Sequence, residues 1–189
     1  MLSIDPSIND CGYAGWDGGK PIEYGLIHPP RRLRDWRLKA HDVKRQIEAL
    51  VAMRDPLFVI CESPNEVFDK SASRVDPGDG TLKLAYLVGS LASSVHVAPA
   101  QPRFFLEVSP SCWKGRGRKT ATLALVNTRY GVNLTDEKRD LDIADAIGIG
   151  DWFKLFGHER HLGDGLYATC SAQRMELLKR ALSTTGWKQ

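Results

Sequence analysis

The sequence lacks the features that mark membrane-bound, secreted and disulfide-rich proteins. No apolar run approaches the roughly 18 residues that a membrane-spanning helix needs. The first five residues lack the charged start and long apolar core of a secretory signal. The four cysteines lie far apart in 189 residues, without the close Cys or His spacing of a zinc site or a disulfide framework. We therefore expect a soluble, cytoplasmic protein with no membrane partner.

A strong excess of charge of either sign is also missing. The chain has 26 basic and 23 acidic residues, and the net charge of +3 is too small to indicate a nucleic-acid partner by itself. The distribution is more informative, because residues 114–119 contain four cations and no acid, and residues 31–34 contain three arginines. Both basic segments are suited to phosphate contacts, although a solvated surface loop is the alternative for each.

Hydrophobic periodicity predicts five strands. Residues 2–4, 11–16 and 22–27 are expected to form three antiparallel strands, because the last two flank Asp17-Gly18-Gly19-Lys20, a strong hairpin signal. Residues 57–61 are a continuous apolar run, which is typical of a buried strand, and residues 103–108 form another strand.

Apolar residues recur at helical spacing over residues 33–53, 120–130 and 140–156, and a last amphipathic helix is predicted around residues 171–182. Residues 81–97 are apolar around almost the whole helix circumference, so this helix must be buried on more than one side. One of those sides is a candidate subunit contact. The order of elements predicts the α/β class, with a mixed sheet flanked by helices.

Four acids occupy positions where a core would prefer apolar groups. Asp5 ends the first strand, Glu62 ends the buried strand, and Asp142 and Asp145 share one helix face at a spacing of three. Each alone is explained by a turn or a solvated surface, but several buried carboxylates together are costly unless cations lie among them. Mg²⁺ and Mn²⁺ prefer oxygen ligands, and two such ions can activate water for phosphodiester cleavage.

These acids belong to a series of motifs that follow one another in a recognisable order. The series is Leu2-Ser3-Ile4-Asp5-Pro6-Ser7 with Gly12-Tyr13-Ala14, Phe58-Val59-Ile60-Cys61-Glu62, Thr81-Leu82-Lys83-Leu84 with Gly89, Glu107-Val108-Ser109-Pro110 with Lys114, and Asp142-Ile143-Ala144-Asp145-Ala146. In this combination the chain resembles the RuvC family of Holliday junction resolvases, in the RNase H-like superfamily. The resemblance covers about residues 1–150, and the DxxDA ending is its most specific piece.

The resemblance implies an RNase H-like nuclease domain over residues 1–156, built on a mixed five-stranded sheet flanked by helices. A C-terminal loop and helix extension, residues 157–189, is expected to pack on the same domain. Because this extension passes the end of the family core, a phage or mobile-element version is plausible, with the cytoplasm of a bacterial cell or a phage-infected host as its location.

The resemblance also implies a homodimeric, metal-dependent endonuclease that resolves four-way DNA junctions by paired nicks. Two Mg²⁺ or Mn²⁺ ions would be bound in each active site, and the helix near residues 81–97 would form the dimer. The implied catalytic residues are four acids, which also bind the metal, and two lysines near the scissile phosphate: Asp5, Glu62, Asp142, Asp145, Lys114 and Lys119.

A wider set of residues is predicted to contact DNA. The basic members are Arg31, Arg32, Lys70, Arg74, Lys114, Arg116, Arg118 and Lys119. Phe68 is either a wedge between unstacked bases at the junction centre or a loop anchor in the local core. Nearby Glu66 offers a second acid, although Glu62 has the better position at a strand end.

Other functions remain to be compared with this one. A sugar-kinase or actin-like ATPase needs two domains and a second phosphate loop, which 189 residues cannot supply. A non-catalytic junction-binding protein gains nothing from clustered acids beside DNA. A nuclease of the same fold with broader targets, such as forks and flaps, is the main alternative.

Overall fold

The computed structural model describes residues 1–64, 79–97, 104–114, 118–156, 166–168 and 180–181. The elements follow one another as β1 (Leu2–Asp5), β2 (Cys11–Asp17), β3 (Lys20–Ile27), α1 (Trp36–Arg54), β4 (Phe58–Glu62), α2 (Asp79–Val97), β5 (Phe104–Val108), α3 (Pro110–Trp113), α4 (Lys119–Tyr130), α5 (Lys138–Phe156) and β6 (Leu166–Ala168).

The strands of the described residues form one mixed sheet in the order β3-β2-β1-β4-β5-β6. β1, β4 and β5 run parallel to one another, whereas β2 pairs antiparallel with β1 and β3, and β6 pairs antiparallel with β5. The carboxyl ends of the three parallel strands therefore meet at one end of the sheet, which we call the carboxyl end.

Two glycines shape the hairpin between β2 and β3. Gly18 and Gly19 have φ values of 50° and 77°, and a two-residue type I′ turn requires positive φ at both central positions. The turn was predicted from this sequence, and β3 begins at Lys20, directly after it.

Alternation of side chains along the strands divides the core into two layers. On one face of the sheet, Ile4 and Val59 pack against the apolar sides of α1 and α2. On the other face, Ile60 and Leu106 pack against α5, and α5 in turn packs against α4. The sheet is thus covered by α1 and α2 on one side and by α4 and α5 on the other.

The α/β class and the mixed sheet flanked by helices are confirmed, and the described helices α1, α2, α4 and α5 begin within three residues of their predicted positions. The structure adds β6 to the five predicted strands and a single turn, α3, directly after β5. Three residues are too short to show a periodicity, and β6 pairs along the outer edge of β5 within a segment that was expected to be a loop.

Several predictions lie outside the described residues. The loop expected at residues 63–80 is described only at its two ends, and the helix expected at residues 171–182 is described only at residues 180 and 181, which are helical. None of the described helices is long and apolar enough to cross a membrane.

Cys61 was predicted to be a core thiol, and this is confirmed. Cys61 and Cys11 are fully buried, and both are free thiols. Burial raises the pKa of the Cys11 thiol to about 12 and the pKa of the Cys61 thiol well above its ordinary value. Both thiols therefore stay protonated and act as small apolar groups of the core.

Candidate active site

Asp5 and Glu62 lie side by side at the carboxyl end of the sheet. The register of β1 and β4 pairs Ile4 with Cys61, so the next residue of each strand lies beside the other. Ser3 faces α5, because its hydroxyl donates a 2.7 Å hydrogen bond to a carbonyl oxygen of that helix. Since side chains alternate, Asp5 faces α5 as well. Glu62 does the same, because it lies two residues after a strand residue that packs on α5.

α5 brings two further carboxylates to this end. Asp142 and Asp145 lie in its first two turns, and their exposed fractions are 8% and 2%. The helix approaches β2 closely at Gly12, where an added Cβ would overlap the carbonyl oxygen of Asp142. The close approach at this glycine therefore holds both acids of α5 above the carboxyl end of the sheet.

Two lysine ammonium groups lie among the carboxylates. Nζ of Lys114, directly after α3, is 2.6 Å from Oδ2 of Asp145. Nζ of Lys119, the first residue of α4, is 2.9 Å from Oδ1 of Asp142 and 3.3 Å from Oδ2 of Asp145. The Lys114 side chain is 16% exposed and that of Lys119 is 49% exposed. Lys119 is therefore the cation that faces solvent.

The electrostatics show that the acids are close enough to repel one another. Burial, together with the charges of Glu62 and Asp145, raises the pKa of Asp5 well above its ordinary value. Burial also raises the pKa of Glu62, and the nearby Lys114 opposes this rise. Burial alone would lower the pKa of Lys119, but its hydrogen bond to Asp142 and the surrounding acids raise it instead. Such mutual shifts are typical of functional sites.

Trp113 was missed by the sequence analysis. Its indole Nε1–H donates a 2.8 Å hydrogen bond to Oε2 of Glu62, and this bond lowers the pKa of the Glu62 carboxyl against the effect of burial. The two residues are 51 positions apart in the chain. The signal that was available is the position of Trp113 directly before Lys114.

The chemistry of this donor set fits a hard divalent cation, although the described geometry is held by lysines. Within the described ranges, no group of three acidic, histidine or cysteine side chains is arranged to hold a metal ion, because the two ammonium groups lie between the carboxylates. However, Oδ1 of Asp145 is buried and has no hydrogen-bond partner among the described residues. An unpaired buried carboxylate oxygen is costly, and oxygen is the ligand that Mg²⁺ and Mn²⁺ prefer.

The other predicted DNA contacts are distributed differently. Arg118 is exposed and directly precedes Lys119, at the entrance of the site. Arg31 and Arg32 are exposed in the segment between β3 and α1. The remaining predictions lie outside the described residues: Glu66, Phe68, Lys70, Arg74 and Arg116.

Comparison with known proteins gives no sequence relative but a clear structural one. No protein-family model matches the chain, and no curated protein matches its sequence. The solved structure "T. thermophilus RuvC in complex with Holliday junction substrate" is similar with a TM-score of 0.63 and 13% identity, over 89% of this chain and 99% of that chain. The chain has the RuvC fold.

A second solved structure, of Thermus thermophilus RuvC, is similar with a TM-score of 0.59 and 12% identity, over 89% of this chain and 100% of that chain. The likeness thus extends over practically the whole of both RuvC chains. At this identity the comparison establishes the RuvC fold, and the roles of individual residues must be argued from the site itself.

Proposed function

We propose that the protein is a metal-dependent, structure-selective DNA endonuclease that resolves four-way junctions by paired nicks. The observation that carries this proposal is the group of four carboxylates and two lysines at the carboxyl end of a RuvC fold. The solved relative is a complex with a Holliday junction substrate, which supports branched DNA as the substrate.

The carboxylates of Asp5, Glu62, Asp142 and Asp145 would hold Mg²⁺ or Mn²⁺, with two ions per site. Bound divalent ions would supply a Lewis acid for the scissile phosphate and lower the pKa of an attacking water. The protein's own contribution is to keep these carboxylates desolvated and oriented. The hydrogen bond from Trp113 fixes the direction of the Glu62 carboxylate, as a supporting group does for a metal ligand.

The two lysines have different proposed roles. The buried ammonium group of Lys114 compensates the charge of the Asp145 carboxylate and orients it. Lys119 is half exposed and bridges Asp142 and Asp145, so a phosphate that reaches the site finds its ammonium group at the entrance. Together with Arg118 and Arg116, these cations form the predicted clamp on the cleaved strand, and each phosphate contact adds affinity that salt weakens.

The outer face of α2 supports a homodimer. Within residues 80–95 the exposed positions carry no charge: Gly80, Leu82, Ala85, Tyr86, Gly89 and Ser93. Leu82 and Tyr86 are 60% and 51% exposed, and an added Cβ at Gly89 would meet nothing within 4 Å. The opposite face, with Leu87 and Leu91, is already buried in the core. A second copy of the chain covers such a helix face by two-fold symmetry and sets two active sites at a fixed spacing.

We also propose that residues 157–189 pack on the nuclease domain. β6 continues the sheet at the edge of β5, and Ala181 packs against the core cluster that contains Phe58 and Trp152. Both contacts join the C-terminal part of the chain to the same core as residues 1–156.

Catalysis is favoured over binding alone because the acids are costly. Asp5 is a buried carboxylate that other acids destabilise further, and clustered negative charge repels DNA. A protein that merely bound junctions would be more stable and would bind more tightly without these residues. Their cost is explained by the metal-dependent cleavage that they make possible.

Cleavage of synthetic DNA tests the proposal. With Mg²⁺ or Mn²⁺, the purified protein is expected to nick a four-way junction at paired positions, in preference to a fork or a linear duplex. Asp145→Asn should reduce nicking by more than about a hundredfold, the upper end of what supporting residues of a metal site cost, and should leave junction binding intact. Asp140→Asn is the matched control, because this acid of the same helix accepts hydrogen bonds from Thr135 instead. Equal cutting of forks would favour the broader nuclease, and binding without cutting would contradict catalysis.

A further inference from the structure

The segment before α1 and its first turn form an exposed cationic surface. Four of the seven residues from 31 to 37 are arginines, and all four are exposed. No ion pair joins any of them to an acid among the described residues. We call this set the arginine patch: Arg31, Arg32, Arg34 and Arg37.

An aromatic pair anchors the patch to α2. The Arg37 guanidinium lies 4.6 Å from the ring centroid of Trp36, over its face. The Trp36 ring in turn meets Tyr86 edge to face, with 5.5 Å between the ring centroids. A guanidinium held over an indole is attracted to the ring and keeps its N–H groups available for an anion. The first turn of α1 is fixed as well, because the Asp35 carboxylate accepts the backbone N–H of Arg37 at 2.7 Å.

The topology places this patch at the same end of the molecule as the carboxylates. β3 runs parallel to β1 and ends at Ile27, which pairs with Cys11 beside the carboxyl end of the sheet. His28 follows and forms a 2.8 Å ion pair with Asp10, and its other ring nitrogen lies 3.2 Å from Nη2 of Arg139, at the start of α5. The segment that leads into the patch is therefore tied to the helix that carries the acids.

The patch also adjoins the proposed dimer face. Tyr86 belongs to the uncharged outer face of α2 and contacts Trp36 directly. The carboxylates lie on the α5 side of the sheet, whereas α1 and α2 lie on the other side. From the active site towards the dimer face, one therefore crosses the end of the sheet and reaches the arginine patch.

We propose that the arginine patch binds the crossing strands of branched DNA between the two active sites of the dimer, and so contributes to the preference for junctions. This inference rests on the proposed function, including the homodimer. Two-fold symmetry places one patch on each side of the axis, which gives eight guanidinium groups on one surface. The centre of a four-way junction brings phosphates of several strands together, and a linear duplex does not. Charge complementarity thus favours branched DNA as the occupant.

Binding measured in the presence of a chelator separates this surface from cleavage. The double variant Arg34→Gln/Arg37→Gln is compared with Lys44→Gln/Arg45→Gln, which removes the same charge from the same helix farther from the carboxyl end. Each is titrated with a four-way junction and with a linear duplex of equal length over a range of salt concentrations. We expect the junction salt slope of the first variant to fall by about 2, one for each lost phosphate contact, and its junction-to-duplex affinity ratio to approach 1. The control variant should retain both values.

The outcomes distinguish this inference from the function on which it rests. An equal loss of affinity for both DNAs, or no loss, overturns the role of the patch while the proposed function stands. Wild-type protein that binds junction and duplex equally contradicts the proposed function and the inference with it. Circular dichroism and the mass of the dimer in solution should be unchanged in the arginine variant, because both arginines are exposed. A loss of junction preference that follows loss of the dimer overturns the inference.

Discussion

The two oxygens of the Asp145 carboxylate have different environments: Oδ2 lies 2.6 Å from Nζ of Lys114, whereas Oδ1 is buried with no partner among the described residues. One oxygen thus has a compensating cation, and the other retains its full capacity to accept a ligand. Such a division explains how a carboxylate with almost no solvent contact is tolerated in the fold and is still a candidate metal ligand.

Trp113→Phe tests the hydrogen bond to Glu62. The variant keeps an aromatic ring but removes the N–H donor, and a hydrogen bond to a charged group contributes about 1.5–3 kcal/mol. Because this bond lowers the pKa of Glu62, its loss should raise that pKa further. We expect the pH profile of nicking to shift upwards and activity at neutral pH to fall by about 10–100-fold, as for other supporting residues of metal sites.

Tyr130→Phe is a matched control for that prediction. It also removes one hydroxyl or N–H donor to a buried acid, in this case Asp151 on α5, far from the carboxyl end. We expect a loss of thermal stability and no shift in the pH profile. Equal shifts in both variants would contradict a specific role for Trp113.

The carboxylate pair at the strand ends could be predicted from the sequence, because its causes are local. A buried apolar run fixes where a strand ends, and parallel neighbours bring their carboxyl ends to the same edge. Asp5 and Glu62 follow directly from these rules. The spacing of Asp142 and Asp145 likewise defines a helix face without any tertiary information.

The contacts between distant segments could not be predicted in this way. Nothing in the local sequence shows that Trp113 donates to Glu62, or that Lys114 pairs with Asp145 while Lys119 bridges both acids of α5. These contacts depend on where α3 and α4 are placed against α5. β6 is unpredictable for a similar reason, because its pairing with β5 determines its conformation more than its three residues do.

Asp5→Asn should stabilise the protein at neutral pH in the absence of divalent ions. The pKa of Asp5 is raised in the folded state, so the folded protein binds a proton more readily than the unfolded chain, and stability falls as pH rises above the ordinary value of 3.8. We expect the variant to lack this loss and to exceed wild type by on the order of 1–3 kcal/mol at neutral pH. Denaturant unfolding over a pH series with chelator measures it.

Asp140→Asn should behave with the opposite sign and serves as the control. The backbone and hydroxyl hydrogen bonds from Thr135 lower the pKa of Asp140, so its contribution is present above 3.8 and is lost as pH falls below that value. The variant should therefore be slightly less stable than wild type at neutral pH. An Asp5→Asn protein that is less stable than wild type at pH 7 would show that the acids are not in mutual repulsion.

Leu82→Glu tests the proposed dimer face. A charge in the centre of an apolar interface is desolvated without a partner on association, whereas Leu82 is 60% exposed in the single chain and its replacement leaves the fold intact. Light scattering should show a dimer for wild type and a monomer for the variant. Leu125→Glu, at an open position on α4 with 45% exposure, should remain dimeric. A dimeric Leu82→Glu protein would place the interface elsewhere.

Gly12→Ala tests how closely α5 must approach β2. The added methyl group would overlap the Asp142 carbonyl oxygen, so the helix must move outwards and carry its carboxylates with it. Overpacking of this kind destabilises a core by about 1–3 kcal/mol, and we expect nicking to fall by more than the fraction of unfolded protein explains. Gly15→Ala, in the same strand, places its Cβ 3.8 Å from the carbonyl oxygen of Glu23, an ordinary contact, and should retain activity. Equal activity of the two variants would mean that the position of α5 over the sheet does not limit the reaction.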